Sequence, residues 1–387
     1  MIQRERLVES LVEKGAIRTP WVRDAFGSVP REVFVPRFHK RSSEEDVWVD
    51  GTDPEQYDEW LSGVYDDVPL VTQATPASDI VSPAGLPTSS SSMPTVMAEM
   101  LEALGLQPGH RVLEIGTGTG YNAALLCHRV GADNVVSVEL HPQLADTGRV
   151  ALASVGLHPT IINGDGATAH APDGSFDRII ATAAVDHIPP AWIDQLAPGG
   201  AIVTDLRGSL SGGLIRLATT GDGIASGRFL DIPGAFMPLR TRLDSPHRDG
   251  ESWDKPLNTM NPHHGFTTTD PRAIASTPSL RFITQMHLAG HHVRGFIPDP
   301  DGSELSGHTT DASWFSVGLT ADAEGLYPVL QGGPQRIWDT VECAYATWQR
   351  LGRPDIARYG VTAYDHVAMQ HIWIDRPESS TRWPLPL

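Results

Sequence analysis

The stretch "RVLEIGTGTGYNAALLCHRVG" at 111–131 puts Gly116, Gly118 and Gly120 at alternate positions, with Glu114 two residues ahead of the first. Glycine-rich turns after a strand bring a ligand close to the backbone, and they serve more than one cofactor. Where the dinucleotide fingerprint wants its third glycine this chain has Tyr121, which weakens a nicotinamide or flavin reading. Two further carboxylates stand where strands should end: Glu139 before Leu140 in "NVVSVEL", and Asp165 before Gly166 in "NGDG". The first can accept hydrogen bonds from both hydroxyls of a ribose, and the second can meet an adenine edge. Together with Thr117 inside the turn, these residues form a candidate site for S-adenosylmethionine, whose sulfonium is positive and which carries no pyrophosphate. The plainer alternative is that the glycines only tighten a turn and the carboxylates are solvated.

About twenty residues upstream lies "TSSSSMP", Thr88, Ser89, Ser90, Ser91 and Ser92 followed by Met93 and Pro94. Read alone, it could be a linker, part of a site, or the N-cap of the helix that starts near Pro94, a position that favours serine before and proline within the first turn.

The elements that must position these groups follow from periodicity. "PTVMAEMLEAL" carries Val96, Met97, Met100, Leu101 and Leu104 on one helical face. A strand at Arg111–Ile115 then leads through the glycine turn into a helix ending at Gly131. Strands at "NVVSVEL", "TIINGDG" and "FDRIIATAAV", with a helix at "DTGRVALASVGL", continue the alternation. Such alternation predicts an α/β, doubly wound parallel sheet with ligands at the carboxyl ends of its strands. Residues 1–40 read as a small helical element, and 41–63 as an acidic exposed loop, giving an N-terminal unit at 1–63. Residues 64–92 read as a linker or an ordered loop over a site. Beyond residue 240 a polar stretch precedes strand-like runs, "LRFITQMHL" and "WFSVGLT", a helix "PQRIWDTVECAYATWQRLG" with Pro334 at its start, and a closing strand "HIWID". This region, 241–387, reads as an accessory α+β domain.

Composition narrows the function. The 47 acidic and 29 basic side chains give a net charge of −18, which argues against nucleic acid as a partner. Two distant cysteines, Cys127 and Cys343, offer neither a disulfide framework nor a CxxC metal site, consistent with a reducing cytoplasm. His263, His264, His287, His291 and His292 repeat no known ligand spacing, so no metal is expected. No segment reaches the roughly 18 apolar residues of a membrane span, and none resembles a cleaved leader.

The blocks "VPREVFVP", "VYDDVPL", "MLEALGLQPGHRVLEIGTGTGYNAALL", "SVEL", "GDG", "FDRIIATAAVDHIP", "QLAPGGAIV" and "GAFMPLR", spread over residues 1–240, resemble the protein-L-isoaspartate O-methyltransferases. The resemblance implies a Rossmann-like class I methyltransferase core at 64–240, S-adenosylmethionine as donor, and a peptide carboxylate as acceptor. In that family a Gln-Thr-Ile-Ser-Ala-Pro-His run precedes the same helix. Laying its proline on Pro94 puts its acceptor-contacting serine on Ser92, within an acceptor loop at 64–95. The chain departs from the run at Ser89, Ser90, Ser91, Met93 and Thr95, so the donor side looks kept and the acceptor side changed. A carboxylate is already a nucleophile at neutral pH and needs alignment and removal of water rather than a base. A serine hydroxyl can position it without quenching its charge.

The altered loop and the added C-terminal region resemble the branch of the family found with ribosomally made, modified peptides such as lanthipeptides. That resemblance implies methylation of an aspartate side chain in a modified precursor peptide. The ester would then cyclise to aspartimide, which persists or hydrolyses to isoaspartate, and 241–387 would recognise the peptide. The alternatives are general isoaspartyl repair, and a protein that binds S-adenosylmethionine or a peptide without turnover.

Overall fold

Val112–Ile115 is buried at all four positions, as expected of a central parallel strand covered on both faces. The computed structural model describes residues 2–41, 46–74, 87–168, 170–172, 174–219, 221–243, 262–291, 293–298 and 302–386. In chain order the first part comprises α1 (Ile2–Glu13), α2 (Pro20–Ser28), α3 (Arg31–Phe34), β1 (Arg37–Arg41), β2 (Asp46–Asp50), α4 (Tyr57–Val64), β3 (Leu70–Ala74), β4 (Pro87–Ser91) and α5 (Pro94–Leu104). The core follows with β5 (Val112–Ile115), α6 (Tyr121–Val130), β6 (Val135–Glu139), α7 (Pro142–Ser154), β7 (Thr160–Asn163), β8 (Phe176–Val185), α8 (Pro190–Asp194), β9 (Leu196–Arg207), β10 (Gly212–Thr219) and β11 (Ile224–Phe229). The last part contains β12 (His263–Thr267), α9 (Pro271–Ser276), α10 (Pro278–His287), β13 (Val293–Pro298), β14 (Glu304–Thr309), β15 (Trp314–Gly318), β16 (Tyr327–Gly332), α11 (Ile337–Arg350), β17 (Tyr359–Tyr364), β18 (His371–Ile374) and β19 (Arg382–Pro384).

The main sheet has ten strands in the order β19-β18-β17-β11-β10-β9-β8-β5-β6-β7. Strands β7, β6, β5, β8 and β9 run parallel, as the alternating pattern predicts, and the remaining pairings are antiparallel. Apolar side chains form two cores. One joins α1, α2, α5 and α6 around Leu11, Phe26, Met100 and Leu125, and the other joins the sheet to the C-terminal helices around Trp192, Phe282, Trp338 and Tyr359.

Several boundaries differ from those read in the sequence. The N-terminal unit does not end at residue 63, because β1 pairs with β3 in a four-stranded sheet of order β2-β1-β3-β4. The acidic segment after residue 40 holds β2 and α4 rather than an exposed loop: Val49 and Trp60 turn inward and are buried. Residues 75–86 of the expected linker lie outside the described residues, but its ends form the β3–β4 pair. The C-terminal region is likewise not a separate domain. A five-stranded sheet, β12-β16-β15-β14-β13, stands apart, whereas β17–β19 pair onto β11 and extend the core sheet. "LRFITQMHL" is helical within α10. Pro278 starts that helix, and Leu280, Ile283 and Met286, at three-residue intervals, bury one stripe. Pro334 precedes α11 without belonging to it.

Candidate active site

The glycine turn and the serine strand meet over one cavity of about 540 Å³. On the cofactor side, Gly116 (φ 91°) and Gly118 (φ 50°) adopt left-handed backbone conformations that favour glycine. A Cβ at Gly118 would lie 3.7 Å from the Ser89 hydroxyl, so the turn runs directly against the serine strand. Glu139, at the end of β6, lines the cavity. Its two carboxylate oxygens accept the Gly118 N–H (2.9 Å) and the His141 N–H (3.0 Å), which ties the two strand ends together. Thr117, Tyr121, Leu140 and Gly166 also line it.

Three expected cofactor residues take other roles. Glu114 is wholly buried behind the turn, where it accepts from Asn122 Nδ2 (2.7 Å) and from the Ser137 hydroxyl. Burial pushes its pKa up to about 7, against those hydrogen bonds, and the Glu139 charge adds to the rise. It braces the turn and does not line the cavity. Gly120 is absent from the lining, and its glycine character serves packing: a Cβ there would meet the Gly148 carbonyl oxygen at 3.2 Å. Asp165 also does not line the cavity, because its carboxylate accepts the Ala167 N–H (2.8 Å) and closes its own turn.

Asn122, which sequence reasoning passed over, lines the cavity, and its buried Oδ1 has no hydrogen-bond partner. A spare buried acceptor wants a donor. With Glu139 at a strand end and apolar Ile115, Val138, Leu140 and Leu144 around them, the residues fit S-adenosylmethionine, a cation carrying an ammonium, a ribose and an adenine.

On the other side of the cavity the serine run is a strand edge rather than a linker. Ser89 and Ser91 are buried, while Thr88, Ser90 and Ser92 are half-buried, and all five line the cavity. Thr88 donates to Gln73 Oε1 (2.8 Å), and Thr72 donates to Ser89 (3.3 Å). Ser91 accepts from the guanidinium of Arg31 (3.3 Å). Arg31 is completely buried and also donates to the carbonyls of Val64 (2.8 Å), Asp66 (3.1 Å) and Ser92 (3.1 Å). Burial lowers its pKa, opposed by Tyr121, Asp67, Tyr65 and Asp66; its Cζ lies 5.8 Å from the centre of the Tyr121 ring.

The serines do not cap α5. Its N-cap is Met93, which makes no side-chain cap, and Asp67 does the capping from a distance. Asp67 accepts the Thr95 N–H (2.8 Å) and hydroxyl (2.6 Å) and pairs with Lys14 (2.7 Å). Burial raises the pKa of Asp67, but these hydrogen bonds outweigh it and hold the group below the usual carboxylate range. The Ser92 hydroxyl is thereby left without a partner among the described residues.

A third wall, Ala235–Thr241, closes the cavity and is fastened to β8 by Ala184 N–H to Met237 (2.8 Å) and Leu239 N–H to Ala184 (2.7 Å). Among the described lining residues the charged side chains are Glu139 and Arg240. Arg31 and Arg240 stand in "VPREVFVP" and "GAFMPLR", so the blocks were visible in sequence although the roles were not.

Elsewhere, among the described residues no three His, Cys, Asp or Glu side chains converge as a metal site, and no helix is long and apolar enough to cross a membrane. His263 and His264 sit on β12 and His287 ends α10, while His292 is outside the described residues.

A family model described as protein-L-isoaspartate(D-aspartate) O-methyltransferase matches residues 55–228. The protein-L-isoaspartate O-methyltransferase of Hyperthermus butylicus is 34% identical over 246 residues, covering 61% of this chain and 88% of its own. That of Ignicoccus hospitalis is 31% identical over 240 residues, covering 61% and 97%. A solved structure of a protein-L-isoaspartate O-methyltransferase aligns over 96% of this chain and 100% of its own, with a TM-score of 0.52 at 22% identity. That alignment shows the fold and, at 96% of this chain, extends beyond residue 240. Since these sequence relatives are covered nearly end to end at identities above 30%, the chain belongs to the protein-L-isoaspartate(D-aspartate) O-methyltransferase family and is an S-adenosylmethionine-dependent carboxyl O-methyltransferase.

Proposed function

We propose that the protein methylates the free α-carboxylate of isoaspartyl residues in peptide segments. The observation that carries this reading is the direct abutment of the glycine turn and the hydroxyl-lined strand at Gly118 and Ser89, both lining one cavity, which supports a donor site and an acceptor site side by side. When bound, S-adenosylmethionine supplies an electrophilic methyl on its sulfonium, which a carboxylate oxygen takes as the carbon–sulfur bond breaks. The chain's own task is alignment and exclusion of water. The unpartnered Ser92 hydroxyl donates to one carboxylate oxygen and leaves the other free to attack. Thr88, Ser89, Ser90 and Ser91 shape the strand that holds it. Glu139, Thr117, Leu140 and the glycine turn hold the cofactor, with Glu114, Gly120 and Asp165 supporting them from behind. The methyl ester is a better electrophile than the acid, so the next backbone nitrogen can attack it and expel methanol, giving a cyclic imide.

The test is methyl transfer from labelled S-adenosylmethionine to a short linear isoaspartyl peptide and its aspartyl counterpart, beside a direct measurement of cofactor binding. Labelling confined to the isoaspartyl peptide is expected. Cofactor binding with no labelling of either peptide would sink the reading.

A second reading, methylation of an aspartate in a lanthipeptide-like precursor to form aspartimide, is favoured by one observation: the serine strand departs from the family's acceptor run at Ser89, Ser90 and Ser91. It predicts labelling of a constrained peptide only. Recognition of that peptide by 241–387 draws little support from the cavity, since among the described residues none beyond Thr241 lines it. Neither reading involves nucleic acid or a membrane.

A further inference from the structure

Asp205 lies at the carboxyl end of β9, outside the cavity, and its side chain is completely buried. Its Oδ2 accepts the Phe236 N–H (3.1 Å) and the Arg207 Nε–H (3.0 Å). The other end of the same guanidinium donates to the Gly234 carbonyl. The pair therefore grips the start of the third cavity wall at two points, one N–H and one C=O. Gly234 fits only because it lacks a side chain: a methyl there would land on the Asp205 carboxylate. The second carboxylate oxygen, Oδ1, is buried with no partner. Leaving an acceptor unsatisfied in a core costs stability, so this position is not explained by folding alone.

The strand end that carries the clamp is itself held by the C-terminal region. Gln285 on α10 accepts the Leu210 N–H (2.6 Å), and Ser209 accepts the Val293 N–H that opens β13 (2.9 Å). Gly208 lies so close that a Cβ would strike the Gln285 side chain.

We propose that Asp205, with Arg207, is a positioning residue for the acceptor: it sets the height of the Phe236–Arg240 wall over the serine strand, and the C-terminal region acts on catalysis by bracing that clamp. This rests on the acceptor reading given above. Phe236, Met237, Pro238 and Leu239 line the cavity, and Leu239 also borders Gly166, where a Cβ would come within 3.6 Å of it. Loosening their anchor widens the cavity at this wall, while Gly118, Glu139 and Asn122 keep their own contacts, the Gly118 N–H to Glu139 and Asn122 Nδ2 to Glu114, neither of which involves the wall.

The experiment compares full-length wild type with Asp205→Ala, Asp205→Asn and Gly234→Ala. It measures cofactor affinity by calorimetry, kcat and KM for an isoaspartyl peptide, and hydrogen exchange at the Phe236 amide. Asp205→Ala should raise peptide KM about tenfold, as expected for one lost hydrogen bond to a charged acceptor, with cofactor affinity within about twofold. Asp205→Asn keeps an oxygen for the Phe236 N–H and should restore KM to within about threefold. Gly234→Ala leaves the carboxylate intact, reproduces the KM defect, and serves if Asp205→Ala does not fold. Unchanged KM in the Asp205→Ala and Gly234→Ala variants, or an equal loss of cofactor affinity, overturns the proposal. If the wild type labels no isoaspartyl peptide, the functional reading fails by itself. The clamp is still judged by the Phe236 amide, which must exchange faster in Asp205→Ala than in Asp205→Asn.

Discussion

The two sides of the cavity are built in different ways. The cofactor side comes from consecutive sequence: a strand, a turn, a helix and the next strand, from Val112 to Glu139, with backbone N–H groups fastened to one carboxylate. The proposed acceptor side is assembled from afar. Arg31 gathers the carbonyls at 64, 66 and 92 and the hydroxyl of Ser91, and Asp67 caps a helix that begins at Pro94. A third wall arrives from beyond residue 234. The first kind of site depends on local geometry that glycine permits. The second depends on a buried charge holding several chain segments together, so it can change its ligand without disturbing its neighbour.

The hardest break in that comparison is Arg31→Met. It removes a buried cation from several carbonyls and should cost about 3–5 kcal/mol of stability, read as a fall in thermal midpoint. Residual folded protein should bind cofactor yet methylate poorly. A variant of near-normal stability would show that the acceptor side does not depend on this residue.

Glu114→Gln probes the support behind the turn. The folded state holds the Glu114 proton more tightly than the unfolded chain does, because its pKa is raised to about 7 from an ordinary 4.5. Stability must therefore fall as pH rises through that window, since folding above it keeps a buried charge. The variant should lose this slope and gain on the order of 2–3 kcal/mol relative to wild type by pH 8. Thermal melts of both proteins across pH 4.5–8 measure the difference, and a constant offset would contradict it.

Glu139→Ala should weaken cofactor binding by about 10- to 100-fold, the loss of charge-assisted hydrogen bonds, and calorimetry reads it directly. Ser92→Ala should do the reverse, cutting methyl transfer about tenfold with cofactor affinity unchanged. A large loss of affinity in that variant would move Ser92 to the cofactor side and blur the division between the two sides.

The same division explains what could be read in advance. The strands and helices from 94 to 185 follow from hydrophobic period and turn chemistry, and they appear within a residue or two of their expected bounds, save that α7 starts four and ends three residues early and β7 stops at Asn163, before the acidic turn. Glu139 was legible as a cavity residue because strand-end carboxylates in such folds face the site. Glu114 and Asp165 were not distinguishable from it by type, since burial behind the turn and closure of a local turn are decided by neighbours such as Asn122, Ser137 and Ala167. The helix α10 misled because its β-favouring Phe282 and Ile283 sit in a short apolar run, where packing onto the sheet sets the outcome.

Residue order by itself determined the parallel core, the cofactor class and the place of the serine run ahead of α5, because each depends on contacts within one or two elements. Tertiary structure decided that the serines form a strand edge, that Arg31 holds it, that Asp67 rather than a serine caps the helix, and that β17–β19 complete the core sheet. Those outcomes join residues from about 13 to over a hundred positions apart, and such pairings are fixed only when packing has met the cost of closing the loops between them.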